Sequence, residues 1–142
     1  MSGVVFQFKG YTVQHWTPHD REGAAGVVRA CLEEYGLQFE PKGADRDSVE
    51  VEDCYVRGEK GEFWVVMDAQ SKLVGTAGYY EVSSADKAVE IRKMYLLPEA
   101  RGKKLGRALL EVSCECIITP LFQMMHALEP SRSIIHGIQK PI

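Results

Sequence analysis

The stretch from Ala88 to Leu110, AVEIRKMYLLPEARGKKLGRALL, limits the fold of this chain more than any other. Its first ten residues, Ala88 to Leu97, are rich in strand formers and stop at Pro98. A short basic loop, Glu99 to Lys103, follows, and a helical pattern begins near Lys104. A strand, a glycine-containing basic loop and a helix N-terminus in that order make a phosphate-binding device. The first-turn N–H groups of a helix have no intrahelical partner, and the macrodipole places partial positive charge beside them. Arg101, Lys103, Lys104 and Arg107 add full charges at the same point, and Gly102 and Gly106 permit positive φ and close approach of backbone. Taken alone, the loop is equally a solvated turn. Two specific phosphate motifs are excluded. No Gly-Lys-Ser/Thr follows, and no G-x-G-x-x-G opens the helix.

The chain has 142 residues, enough for one domain with a single core. A net charge of −3 argues against a general nucleic-acid binder, despite the basic cluster at 101–107. No apolar run approaches the ~18 residues of a membrane span. The N-terminus MSGVVFQFKG lacks the basic lead and long apolar core of a signal peptide. Four cysteines (Cys31, Cys54, Cys114, Cys116) show no C-x-x-C spacing, which points to a reduced, cytoplasmic setting and to no metal site.

Read in order, Val4 to Trp16 is strand-like with a turn at Lys9-Gly10. Thr17-Pro18-His19-Asp20 is a helix start, with a threonine cap, proline at the first position and an acid three residues on. Ala24, Val27, Val28, Cys31, Leu32 and Tyr35 then recur at helical spacing, predicting one buried face ended by Gly36. Residues 38–53 have no clear period and carry many acids; either a solvated connection or a short helix near 45–51 fits. Phe63–Met67, Lys72–Val82 and Ala88–Leu97 form an antiparallel meander, with a polar turn at 68–71. Gly75 and Gly78 predict a bulge or close backbone approach. Lys93 interrupts the last strand's apolar alternation, which predicts a bulge at Lys93–Tyr95. Leu105, Ala108, Leu109, Val112 and Cys116 form one stripe of a helix over 104–118, before Pro120.

The motif Arg101-Gly102-Lys103-Lys104-Leu105-Gly106, preceded by Glu90-Ile91 and Leu96-Leu97-Pro98-Glu99, resembles the signature of the Gcn5-related N-acetyltransferases. That signature is Arg/Gln-x-x-Gly/Ala-x-Gly/Ala after a strand carrying a glutamate. The match holds at Arg101 and Gly106 and departs at Lys104, where a small residue is expected. A positive φ at Lys104 would cost a lysine ~1–2 kcal/mol, and its long side chain would crowd a pyrophosphate. The resemblance implies an α/β (α+β) fold: a mixed, mainly antiparallel sheet flanked by helices. It implies acetyl-CoA as the acetyl donor, bound along Met94, Tyr95, Leu96, Arg101, Gly102, Lys103, Lys104, Leu105, Gly106 and Arg107. It makes Glu90 the candidate catalytic base. It also places the acid-rich 38–53 segment at the acceptor site, where its carboxylates would favour a cationic amine.

The resemblance covers residues 1–118 as an acetyl-CoA-binding core and leaves 119–142 as a divergent tail. The family continues with a strand, a helix and two more strands, which needs roughly 40 residues. The tail instead shows Leu121, Phe122, Met124, Met125 and Leu128 at helical spacing, then Ile134-Ile135. The C-terminal strands are therefore expected to be missing or replaced. The meander's last strand would then keep a bare edge, which the tail covers or a second copy pairs with as a homodimer. All six tyrosines lie at or before Tyr95, so the family's general-acid tyrosine has no counterpart. Two functions follow. One is an N-acetyltransferase acting on a small-molecule or peptide amine, with neither nucleic acid nor membrane as partner. The other is a non-catalytic CoA-binding or protein-interaction member of the same fold.

Overall fold

A computed structural model of the chain describes residues 3–56, 61–83, 88–113 and 134–136. Its centre is a sheet with strands in chain order: β1 (Val4–Phe8), β2 (Tyr11–His15), β3 (Gly61–Met67), β4 (Leu73–Ser83), β5 (Ala88–Leu96) and β6 (Ile134–His136). The first five are antiparallel, and β6 runs parallel to β5. The β1–β2 hairpin closes on Lys9 and Gly10, both at positive φ (50° and 86°), the two-residue turn that matches strand twist. At the next turn Asp68 Oδ1 accepts the N–H groups of Gln70 and Lys72, and Ser71 takes φ 63°.

Helix α1 (Arg21–Glu34) follows a 3₁₀ turn at Pro18–Asp20, whose start is fixed by Asp20 Oδ2 accepting Thr17 N–H at 2.9 Å. It lies on one face of the sheet. Ala24 joins Trp16, Val51, Tyr55, Phe63 and Val65, while Val27, Val28, Cys31 and Leu32 pack with Tyr95. A 3₁₀ turn at Arg46–Ser48 and a π-helical turn at Glu52–Val56 cover the same face, so the 38–53 segment is partly structured. Helix α2 (Leu105–Ser113) lies on the other face. Leu105 and Leu109 enter the larger core of Val13, Trp64, Val66, Val74, Ile91, Met94 and Leu96.

The bulge falls where the alternation breaks. Thr76 faces Tyr95 and Gly78 faces Arg92, so Ala77 stands against both Lys93 and Met94. Lys93 takes φ 52°. Ile91 and Met94 stay in the core beneath α2, whereas Arg92 and Lys93 both turn to the α1 side. Without the extra residue Lys93 would enter an apolar core. The two glycines opposite are there for space. A Cβ at Gly75 would lie 2.6 Å from Leu96 Cδ2, and one at Gly78 would lie 2.9 Å from Phe63 Cδ2.

One expectation needs correction. Tyr35 is 55% exposed and not part of the buried stripe, because the helix ends at Glu34 and Gly36 turns the chain away at φ 73°. The tail does contribute to the sheet: Ile134, Ile135 and His136 pair with Ala88, Val89 and Glu90. Of the two expected ways of closing the β5 edge, the tail thus supplies one at its start, with a run too short to read as a strand beforehand. The helical spacing at 121–128, the cysteines Cys114 and Cys116 and the boundary at 118 lie outside the described residues.

Candidate functional site

The end of β5 and the start of α2 enclose a groove of about 300 Å³, lined by Tyr35, Leu96, Arg101, Gly102, Lys104 and Gly106 among others. Its floor is main chain. Pro98–Ala100 makes one 3₁₀ turn, then Gly102 (φ 77°) and Lys104 (φ 67°) take left-handed backbone around Lys103. The first helical hydrogen bond of α2 runs from Ala108 N–H to Lys104 O at 3.0 Å. The N–H groups of Leu105, Gly106 and Arg107 precede it and have no intrahelical acceptor. Nothing lies within 4 Å of a Cβ built at Gly102, and one at Gly106 would meet only Leu96 Cδ1, at 3.8 Å. Gly106 therefore does not supply the positive φ expected of it; it leaves the helix start bare on the groove side.

The cations of the loop are mostly committed within the chain. Arg101 donates from Nε to Leu96 O (2.9 Å) and makes a two-pronged pair with Glu34 (2.8 Å on each oxygen), with Cys31 Sγ 3.7 Å away. Glu34 lies on α1, so Arg101 ties that helix to the end of β5. Its hydrogen bond to Glu34 raises the already high pKa of Arg101 and holds the Glu34 carboxyl below the usual carboxylate range. Burial pushes the Cys31 thiol up, so it stays protonated and donates to Leu96 O. Lys103 reaches back to Tyr11 Oη (2.9 Å) and Glu99 O (2.8 Å), and Arg107 pairs with Glu111 in the exposed helix turn. Lys104 is exposed at the groove wall. Sequence reasoning missed Tyr35, which caps α1 beside Glu34 and forms the opposite wall. The available signal was an aromatic directly before a helix-ending glycine.

A second groove, of about 390 Å³, opens on the α1 side of β5 and contains Ala44, Arg46, Asp47, Glu90, Arg92 and Lys93 among its walls. Glu90 is half-buried and pairs with Arg92 Nε, whose guanidinium lies over the Tyr80 ring, 4.8 Å from its centre. The two grooves sit at opposite ends of the bulge. Met94, Tyr95 and Leu96, the expected binding strand, run between them and are themselves 4–7% exposed. Their side chains pack in the core, so what they can offer a ligand is backbone. Thr76 Oγ1 donates to Lys93 O at 2.6 Å and fixes the bulge from the neighbouring strand.

Residues 28–116 match the sequence model of the Acetyltransferase (GNAT) family. An N-acetyltransferase of Escherichia coli strain K12, YjgM, described as uncharacterized, is 30% identical over 101 residues, covering 70% of this chain. The chain spans 60% of that relative's length. Among solved structures, a GNAT-family acetyltransferase from Staphylococcus aureus shares the fold with a TM-score of 0.66 at 17% identity, over 81% of this chain and 68% of the other. The spermidine N-acetyltransferase of Vibrio cholerae, solved with CoA and spermine, gives 0.55 at 18% identity, over 84% and 68%. The family match and the bulged strand leading into a left-handed loop at a helix start agree: the chain belongs to the GNAT acetyltransferase family.

Proposed function

We propose that this chain transfers an acetyl group from acetyl-CoA to an amine, with Glu90 as the base. The observation that carries the reading is the main-chain cradle of Gly102, Lys104 and the α2 start, placed one bulge away from a half-buried glutamate. The fit to a pyrophosphate is chemical: a concave surface with N–H donors, helix-dipole charge and no side chain over Gly102. On this reading the pantetheine arm runs along the backbone of Met94–Leu96 and delivers the thioester to the bulge. The amine nitrogen attacks the thioester carbonyl, its proton passes to Glu90 directly or through water, and the C–S bond breaks. Backbone N–H near Tyr95 or Leu96 holds the developing oxyanion. The leaving thiolate of a thiol with a pKa near ~8.5 departs readily and takes its proton from solvent, so a side-chain acid is not essential. The solved relatives that carry acetyl-CoA, or CoA with spermine, support this choice of donor and of an amine acceptor.

The pairing of Glu90 with Arg92 favours a second reading, a CoA-binding member without turnover. Calorimetric titration with acetyl-CoA, followed by thiol release in the presence of amines, separates the two. Binding with release supports the enzyme, binding without release the second reading, and no binding removes both. Lys104→Gly is expected to tighten CoA binding, because it clears the groove wall, and separately to relieve a left-handed lysine in the fold. The strain relief of ~1–2 kcal/mol is partly offset by the greater freedom of glycine in the unfolded chain. Unchanged or weaker affinity in a folded variant would show that the lysine suits the site.

A further inference from the structure

The carboxylates of the acid-rich segment that walls the second groove are largely paired with the chain's own cations. Glu50 pairs with Arg46 (2.8 Å), whose guanidinium also lies 3.9 Å from Asp53, and Glu52 pairs with Arg21 (2.9 Å between Oε1 and Nη1). Asp45 and Asp47 differ from these because they are nearly sealed from solvent, at 8% and 12% side-chain exposure, and between them sits Lys93. Its ammonium lies 3.4 Å from Asp45 Oδ1, 3.2 Å from Asp47 Oδ1 and 3.4 Å from Ala44 O. The remaining carboxylate oxygens have their own donors: Glu40 N–H to Asp45 Oδ2 at 2.9 Å, and the Tyr55 hydroxyl to Asp47 Oδ2. Burial raises the Tyr55 phenol, so it stays protonated and donates. Two carboxylates and a carbonyl oxygen beside one ammonium are surroundings that a primary amine would find as a ligand. Here the amine belongs to the protein, and the bulge that carries it adjoins the candidate transfer site.

We propose that Lys93 is a built-in ammonium filling the seat that a second cationic centre of the acceptor would take, so the acceptor class is an amine with a single cationic centre rather than a di- or polyamine. This deepens the acetyltransferase reading and rests on it for the word acceptor, but the seat itself does not. A left-handed lysine is strained backbone, and removing the side chain would leave two buried carboxylates without their counter-ion. A diamine entering the wild-type groove would therefore find the seat between Asp45 and Asp47 already filled.

The test compares n-butylamine with 1,4-diaminobutane, which differ by one ammonium. With wild-type protein and acetyl-CoA, thiol release is expected to favour the diamine by no more than about twofold, the statistical factor for two equivalent amines. Lys93→Ala opens the seat. Its melting temperature is expected to rise by about 2–4 °C in n-butylammonium at concentrations that leave the wild type unmoved, and not to rise in tetramethylammonium. By calorimetry, 1,4-diaminobutane should bind this variant at least about tenfold more tightly than it binds the wild type. If Lys93→Ala refolds poorly, refolding yield with and without n-butylammonium gives the same readout. A wild type that prefers the diamine by about tenfold, or a variant that neither alkylammonium nor diamine rescues, overturns the proposal. The rescue needs no acetyl-CoA. Rescue without acetyl-CoA binding would remove the acetyltransferase reading alone; turnover with a strong diamine preference would remove this inference alone.

Discussion

Glu90→Gln is expected to lower kcat/KM for acetyl transfer by about 10²–10⁴-fold and to leave CoA affinity within about twofold. The two side chains have the same shape. The glutamine carbonyl can still accept from Arg92 Nε, so the groove should keep its form while losing its proton acceptor. Glu90 lies on the α1 side of β5, across the bulge from the cradle at Gly102–Gly106, so the substitution touches the acceptor groove and not the phosphate groove. Arg92→Met is the companion. It removes the cation paired with Glu90 and should change the rate without abolishing turnover. Thiol release, with calorimetry for CoA, reads both. A glutamine variant that turns over at the wild-type rate would show that the proton leaves by another route.

Much of this arrangement is written locally in the chain, and what was missed depends on contacts between distant residues. The α1 stripe follows from spacing, because a 3.6-residue period needs only neighbours. It misleads at Tyr35 for the same reason: the period runs on while Gly36 has already turned the backbone. Lys93 announces the bulge because a charge in an apolar strand must either break the pattern or be buried at great cost. Which side it turns to, and that Asp45 and Asp47 wait there, is set by a contact across more than forty residues. The acids of 38–53 look like an open anionic surface for the same reason, since Arg21 and Lys93 are invisible as partners until the chain is folded. The three residues of β6 carry too little pattern to compete with the helical spacing before them.

Arg101 is where the fold supplies partners that the loop motif does not announce. As a cation in the signature loop it reads as a phosphate ligand, and so does Arg107. In the structure Arg107 spans one exposed helix turn to Glu111, a kind of pair worth little. Arg101 places its fork on Glu34 and its Nε on Leu96 O, and we propose that it acts by holding α1, and with it Tyr35, against the cradle. Arg101→Ala is therefore expected to weaken CoA binding by roughly tenfold or more, the loss of a charge-assisted pair that positions a whole wall. Arg107→Ala should stay within about twofold. Glu34→Gln should reproduce most of the Arg101→Ala effect although Glu34 carries the wrong charge for a phosphate, and the double variant should be no worse than either single one. The pH dependence has a definite sign. The Glu34 carboxyl is depressed in the fold, chiefly by its hydrogen bond from Arg101, so the clamp is fully present above the ordinary carboxylate range and lost as pH falls through the depressed value. Affinity should then be flat across neutrality and decline only in acid. Calorimetry on the three variants is decisive: additive losses from Arg101→Ala and Glu34→Gln, or a Glu34→Gln protein that binds CoA more tightly, would return Arg101 to the phosphate as a direct ligand.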